Sequence, residues 1–177
     1  MANLLRSDHP ALKRATITCL VRGEERVEKL RAAYGSRVNP VLFKDLDDTQ
    51  RVIEIASQHD IAINTTLGDH PASAAAIVQG LAKRKEQTGK DVWMIHTSGT
   101  SNVADQPISN AYVESDPERV FVDSKDDVYG YEKLRDEQHP YGQRTSELGV
   151  IDEGVKSGVK TLVIMSPTVS VVTPTTS

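Results

Sequence analysis

Cysteine and aromatic residues are scarce in this sequence of 177 residues. Cys19 is the only thiol, so no disulfide can form within the chain, which favours a reducing compartment. Because Cys19 lies in an apolar run, we interpret it as a small buried hydrophobe rather than a reactive thiol. Aromatic residues make up only 5%. The core must therefore consist of Val, Ile, Leu and Ala, a composition typical of a parallel sheet covered by helices.

Long apolar runs and an excess of positive charge are also missing. No run approaches the roughly 20 apolar residues of a membrane helix. Arg6 and Asp8 interrupt the amino terminus too early for the apolar core of a signal peptide. The net charge of −4, with no basic stripe, argues against nucleic-acid binding. The five histidines lack metal-ligand spacing, so we predict no metal site. We expect a cytoplasmic protein without nucleic-acid or membrane partners.

Strands and helices alternate along most of the chain. This alternation predicts right-handed β-α-β units and a parallel sheet, hence the α/β class. Residues 97–125 are polar and predict a long loop with one short element at 119–122. Trp93 is expected on the packed side of its strand. The predicted strands are 16–21, 38–44, 61–65, 92–96 and 160–165, and the predicted helices are 24–34, 49–58, 71–88 and 141–157.

Five short segments at the predicted strand ends carry a family resemblance. Together they resemble the extended and atypical short-chain dehydrogenase/reductases, including NAD-dependent epimerase/dehydratase-like and NmrA-like proteins, over roughly residues 4–168. The resemblance implies a Rossmann-like three-layer parallel sheet and a dinucleotide cofactor in the crevice at the carboxyl ends of the strands. In chain order the segments are CLVRG (19–23), KDLDD (44–48), AINTTLGDHP (62–71), MIHTSGTSNVAD (94–105) and VKTLVIMSPT (159–168).

The first two segments imply contacts with the adenosine of the cofactor. Arg22 would bind the 2′-phosphate of NADP, because a guanidinium is a good bidentate phosphate clamp. It therefore favours NADP, although NAD stays possible. Asp45 would accept from the adenine amino group, and Leu46 would cover the ring. The alternatives are a solvated arginine at the end of a strand and a plain helix cap.

The other segments imply the rest of the cofactor crevice. Asn64 and Thr65 would line it near the adenine ribose, unless they only form a polar turn. Thr97 follows at the end of the fourth strand, and Pro167 would lie beside the nicotinamide. Ser98 and Thr100 are both candidates for the catalytic serine position of the family.

A Tyr-x-x-x-Lys pair supplies the acid/base chemistry of the family, because the lysine lowers the pKa of the tyrosine. One literal match exists, Tyr129 with Lys133, but Pro140 separates it from the helix that leads to the last strand. We favour coincidence for this match. The tyrosine at the start of that helix is Tyr141, and four residues later stands Thr145 rather than lysine.

The glycine-rich turn of the family has no counterpart, since no glycines have the Gly-x-x-Gly-x-x-Gly spacing. Residues 2–15 resemble only the last turns of the first helix, so we expect the first strand and its phosphate-binding turn to be lacking. Residues 1–168 are predicted to form a partial NAD(P)-binding domain, and 169–177 a disordered tail.

The prediction for function is a NAD(P)-binding protein of oxidoreductase or epimerase ancestry, truncated at both ends, with impaired or no activity on an unknown small molecule. Whether it is an enzyme stays open. One alternative is a non-catalytic NmrA-like regulatory protein that binds a dinucleotide. The other is a shortened product with no independent function.

Overall fold

The computed structural model describes residues 2–104 and 118–167. The expected tail at 169–177 lies outside these residues. The chain divides into two compact units, Met1–Asp48 and Thr49–Ser177. Every described strand pairs in parallel, and helices connect the strands. The predicted α/β class with parallel strands is therefore confirmed. The strands pair as a two-stranded and a three-stranded sheet rather than as one continuous sheet.

The first unit contains a two-stranded sheet. Strands β1 and β2 pair in parallel, with Ile17 opposite Val38 and Cys19 opposite Pro40. Helix α3 connects them, and Gly35 with a φ of 58° ends it. Burial raises the pKa of the Cys19 thiol, which keeps it protonated. The elements are α1 (Ala2–Arg6), α2 (Pro10–Arg14), β1 (Ile17–Val21), α3 (Glu24–Tyr34) and β2 (Val38–Leu42).

The second unit contains a three-stranded parallel sheet in the order β3-β4-β5. Helices α5 and α7 pack on the sheet and on each other, and α4 packs on α5. Their shared core is aliphatic, as the composition predicts, with Val78, Leu81, Met94 and Val150 almost fully buried. The elements are α4 (Thr49–Ala56), β3 (Ile61–Asn64), α5 (Pro71–Thr88), β4 (Trp93–Gly99), α6 (Val128–Gln138), α7 (Gly142–Ser157) and β5 (Lys160–Ser166).

The ends of the long helices follow local rules. The imidazole Nδ1 of His70 accepts from the Ser73 backbone N–H at 3.2 Å, which caps the start of α5. Gly89 and Gly158 end α5 and α7 in the left-handed region, with φ of 67° and 69°. The sequence predicts both glycine stops, because glycine adopts this conformation without steric cost.

Two local predictions, for Trp93 and for residues 119–122, are wrong, and one helix was not predicted. Helix α6 was not expected, because its buried residues are Glu132 and Arg135, so it has no apolar stripe to recognise. Its start is nevertheless capped by the Asp127 carboxylate, which accepts from the Gly130 N–H at 2.8 Å. Trp93 is 41% exposed and does not lie on the packed side of β4. Residues 119–122 form neither helix nor strand.

Helices α4 and α5 approach closely at Gly80. A Cβ atom there would lie 2.5 Å from the Ala56 Cβ and 2.6 Å from the Ile53 carbonyl oxygen. We therefore expect Gly80→Ala to lower the free energy of unfolding by about 1–3 kcal/mol, because overpacking forces the helices apart. Gly149→Ala is the matched control, since no atom lies within 4 Å of its added Cβ. Better helix propensity should make it about 0.5–1 kcal/mol more stable. If urea unfolding gives the same change in the free energy of unfolding for Gly80→Ala and Gly149→Ala, close packing at Gly80 is contradicted.

Candidate functional site

A buried polar cluster lies where β4 ends. Strand β4 alternates, so Met94, His96 and Ser98 are buried while Trp93 is exposed. A short 3-10 turn, Thr100–Asn102, follows directly. Side chains from this turn and from α6 and α7 surround the end of the strand. The buried polar cluster consists of Ser98, Asn102, Glu132, Arg135, Arg144 and Glu147, each at most 5% exposed.

Asn102 is the centre of the buried polar cluster. Its side-chain Nδ2 donates to Ser98 Oγ at 3.0 Å and to Glu147 Oε2 at 2.6 Å. Its backbone oxygen accepts from Arg144 Nη1 at 3.0 Å and from Arg135 Nη1 at 3.3 Å. One residue of the 3-10 turn therefore connects the end of β4 to both helices.

Arg144 is 1% exposed, and each of its three guanidinium nitrogens donates a hydrogen bond. Its Nε donates to Asp136 Oδ1 at 3.2 Å, and its Nη2 donates to the His139 carbonyl oxygen at 2.5 Å. Together with the bond to Asn102, these contacts join the start of α7 to the end of α6. The planar guanidinium suits this role because its donors point in fixed directions.

The two glutamates of the cluster interact directly. Burial, followed by the charge of Glu147, raises the pKa of Glu132 to about 8, although Arg144 and Arg135 oppose the shift. Burial also raises the pKa of Glu147, while hydrogen bonds from Ser98 and Asn102 act in the opposite direction. The two carboxyl groups share a hydrogen bond, so at neutral pH the pair holds a proton.

A half-buried hydroxyl cluster lies beside the buried one. The Ser101 hydroxyl donates to Gln143 Oε1 at 2.9 Å. The Tyr141 hydroxyl lies 3.4 Å from both Ser101 Oγ and Gln143 Oε1. We call Ser101, Tyr141 and Gln143 the hydroxyl cluster. It places a serine and a tyrosine hydroxyl together at the carboxyl end of β4, a position where parallel sheets hold ligands.

Tyr141 lacks the lysine that the family places four residues later. The position four residues later is Thr145, whose hydroxyl donates to Asp136 Oδ2 at 2.9 Å. The Arg144 guanidinium carbon lies 5.7 Å from the centre of the Tyr141 ring. Arg144 donates instead to Asp136, Asn102 and His139.

The literal Tyr129–Lys133 pair is brought together on α6. Lys133 Nζ donates to the Tyr129 hydroxyl at 3.0 Å, and that hydroxyl donates to the Asp152 carboxylate of α7. Lys133 Nζ also lies 3.5 Å from Asp152 Oδ2, and both interactions raise the pKa of this lysine. This triad therefore joins α6 to α7.

The remaining candidates of this unit occupy different environments. Asn64 is 3% exposed, and its Oδ1 accepts from the Thr66 N–H at 3.1 Å and the Thr66 hydroxyl at 2.8 Å. Its Nδ2 lies 3.1 Å from Nδ1 of His96. The side-chain oxygen and nitrogen of Asn64 thus both form hydrogen bonds within the protein. The other four candidates differ in exposure. Thr97 is half-buried, whereas Thr65, Thr100 and Pro167 are exposed.

The first unit contains the candidates for the adenosine. Arg22 is exposed after β1, and Leu46 is half-buried. The Asp45 carboxylate accepts from the Asp47 N–H at 3.1 Å, so it makes a local turn.

The chemistry of these residues suits an adenosine phosphate but not a pyrophosphate. Helix α3 begins right after Arg22 and Gly23, yet Glu24 and Glu25 occupy its first turn and would repel an anion there. Among the described residues, no glycine-rich turn supplies the backbone donors that a pyrophosphate needs.

Sequence reasoning missed the residues that organise both clusters. Ser98 was a candidate for catalysis, but it is 5% exposed and bonded to Asn102, whereas Ser101 lies beside Tyr141. Glu132 and Glu147 were not among the candidates, although both are buried. The one available signal was the charge of α6 and α7, where buried and solvated glutamates look alike in a single sequence.

The described part of the chain contains neither a cluster of metal ligands nor a membrane-spanning helix. Within residues 2–104 and 118–167, no group of three or more His, Cys, Asp or Glu side chains is arranged to hold a metal ion. None of the helices described there is both long and apolar enough to cross a membrane.

Among solved structures, the chain is similar to a short-chain dehydrogenase. A short-chain dehydrogenase from Streptomyces avermitilis aligns with a TM-score of 0.48 and 19% sequence identity. The alignment covers 85% of this chain and 55% of that one, so this chain spans about half the length of the dehydrogenase. No family model matches the chain, and no curated protein matches it.

Proposed function

We propose that the chain is a NAD(P)-binding protein like the short-chain dehydrogenase/reductases, of reductase or epimerase ancestry, with impaired catalysis. The observation that carries the proposal is the hydroxyl cluster, in which the Tyr141 hydroxyl lies 3.4 Å from Ser101 Oγ at the carboxyl end of a parallel strand. A serine and a tyrosine hydroxyl side by side can donate hydrogen bonds to one carbonyl oxygen. The impairment follows from Thr145, which supplies no ammonium to the phenol.

Arg22 makes the cofactor proposal specific for NADP. An exposed guanidinium after β1 can pair with a 2′-phosphate, whereas it gains nothing from the free ribose hydroxyl of NAD. Because the pyrophosphate finds no glycine-rich turn among the described residues, we expect weak binding, on the order of millimolar Kd.

A binding titration tests the cofactor proposal. NADPH should bind about tenfold more tightly than NADH, and Arg22→Ala should remove this difference, because a charge-assisted hydrogen bond contributes about 1.5–3 kcal/mol. Arg31→Ala, on the exposed end of α3, is the matched control and should keep the preference. Absence of NADPH binding at high millimolar concentration, or a preference that survives in Arg22→Ala, would refute the proposal.

A non-catalytic regulatory protein of the NmrA-like kind is the second candidate. Thr145 favours it, since its hydroxyl is bound to Asp136 where the family pair needs a lysine. The variant Thr145→Lys separates the two candidates when NADPH oxidation is followed with diacetyl as the probe. Under the first, the variant gains turnover and Tyr141→Phe abolishes it, while Tyr129→Phe has no effect. Under the second, NADPH binds but neither protein oxidises it.

A further inference from the structure

One face of the β3-β4-β5 sheet is apolar and exposed. Five large side chains on it are between 41% and 58% exposed. The strand register places them side by side, because parallel partners point to the same face. Residues at the alternating positions, such as Met94 and His96, are buried on the opposite side. We call this surface the open sheet face; its exposed members are Ile61, Ile63, Trp93, Leu162 and Ile164.

The open sheet face has almost no charge. Its charged member in the register is Lys160, which stands opposite Trp93. Lys160 Nζ is paired with Asp91 Oδ2 at 2.6 Å and lies 5.1 Å from the centre of the Trp93 ring. This ion pair sits at the amino-terminal margin of the strands, so the middle of the face consists of Ile63, Ile95 and Leu162.

The area of the open sheet face matches a small dimer interface. Five large apolar side chains that are about half exposed present on the order of 500 Å², at the upper end of what monomers normally expose. Two such faces packed together would bury about 1,000 Å², the lower limit for a specific interface between proteins. Sheets pack face to face at about 10 Å through side chains of this kind.

We propose that the open sheet face binds the open sheet face of a second copy of this chain, forming a symmetric dimer. In a two-fold contact the same patch must complement itself. The aliphatic middle of the open sheet face satisfies this condition, because no charge there would be set against its like. A heterologous partner with an acidic or basic surface would find no complementary charge here.

Sedimentation velocity of the full chain tests the proposal. Over a micromolar concentration series, the mass should rise from 19.4 kDa to twice that value. Ile63→Lys and Leu162→Lys should each remain at the monomer mass, because the dimer would have to bury an unpaired charge. Val155→Lys, at a 79% exposed position on α7, is the matched control and should still dimerise.

A milder variant controls for the possibility that the lysine variants fail to fold. Ile63→Thr keeps a β-branched side chain and should weaken the dimer about tenfold while far-UV circular dichroism stays unchanged. A wild-type chain that stays monomeric and binds a hydrophobic dye overturns the proposal and indicates a different occupant. A dimer that tolerates lysine at both positions, or open-ended larger species, also overturns it.

Discussion

Replacing Arg144 by methionine should lower the free energy of unfolding by about 3–5 kcal/mol, the usual cost of removing one partner from a buried charged network. Methionine fills similar space but donates no hydrogen bond. The Asn102 and His139 carbonyl oxygens and the Asp136 carboxylate would each lose a donor at 3.2 Å or less. Glu132 would also lose a positive charge that opposes its protonation.

Two further variants test whether the loss depends on the guanidinium geometry and on burial. Arg144→Lys keeps the charge but cannot reach three acceptors in fixed directions, so it should fall between the wild type and Arg144→Met. Arg51→Met is the matched surface control. Arg51 pairs with Glu54 at 2.6 Å on α4 but is 38% exposed, and exposed pairs contribute about 1 kcal/mol or less. Urea unfolding at one fixed protein concentration measures all three. A loss for Arg144→Met as small as that for Arg51→Met would contradict a structural role for the cluster.

The Glu132–Glu147 pair should make the protein less stable as the pH rises. The pKa of Glu132 is about 8 in the folded chain and about 4.5 when unfolded. Between these two pKa values the folded state holds a proton on Glu132 that the unfolded state has released. The stability contributed by this proton is fully present below the unfolded pKa and is lost as the pH rises through about 8. The expected loss between about pH 5 and about pH 9 is on the order of a few kcal/mol.

Glu132→Gln tests this pH dependence because glutamine keeps the shape of the side chain without the charge. The variant should lose most of the slope and should exceed the wild type in stability at alkaline pH. Glu137→Gln, an exposed position on the same helix, should keep the wild-type slope. Thermal unfolding across the pH range measures both. If Glu132→Gln and the wild type have parallel pH profiles, the pair does not hold its proton in this way.

The sequence predicted the elements whose signals are local. The helix at 71–88 was predicted at the observed bounds, because Pro71 suits a first turn and Gly89 adopts the left-handed conformation that ends it. Strands rich in Val and Ile were found within a few residues. Helix α6 was missed for a physical reason, since Glu132 and Arg135 are buried only through partners that α7 and the 3-10 turn supply.

The candidate site could be predicted only as a region. Polar residues after β4 indicated the end of the sheet at which both clusters lie, and Tyr141 was among the candidates. The pairing of Tyr141 with Ser101 rather than Ser98 depends on the 3-10 turn, which rotates Asn102 inward and buries the Ser98 hydroxyl. Such a choice follows from tertiary contacts up to 40 residues apart, which no local pattern contains.

Helix α6 is held to its unit by charged and amide groups, and this has a thermodynamic consequence. The residues of α6 that are buried are Glu132 and Arg135, so releasing the helix would uncover little apolar surface. Such an opening should have a small heat-capacity change and little dependence on denaturant concentration. Hydrogen exchange of the α6 amides should therefore proceed through a local fluctuation that urea barely accelerates, while the amides of α5, packed in the aliphatic core, exchange only on global unfolding.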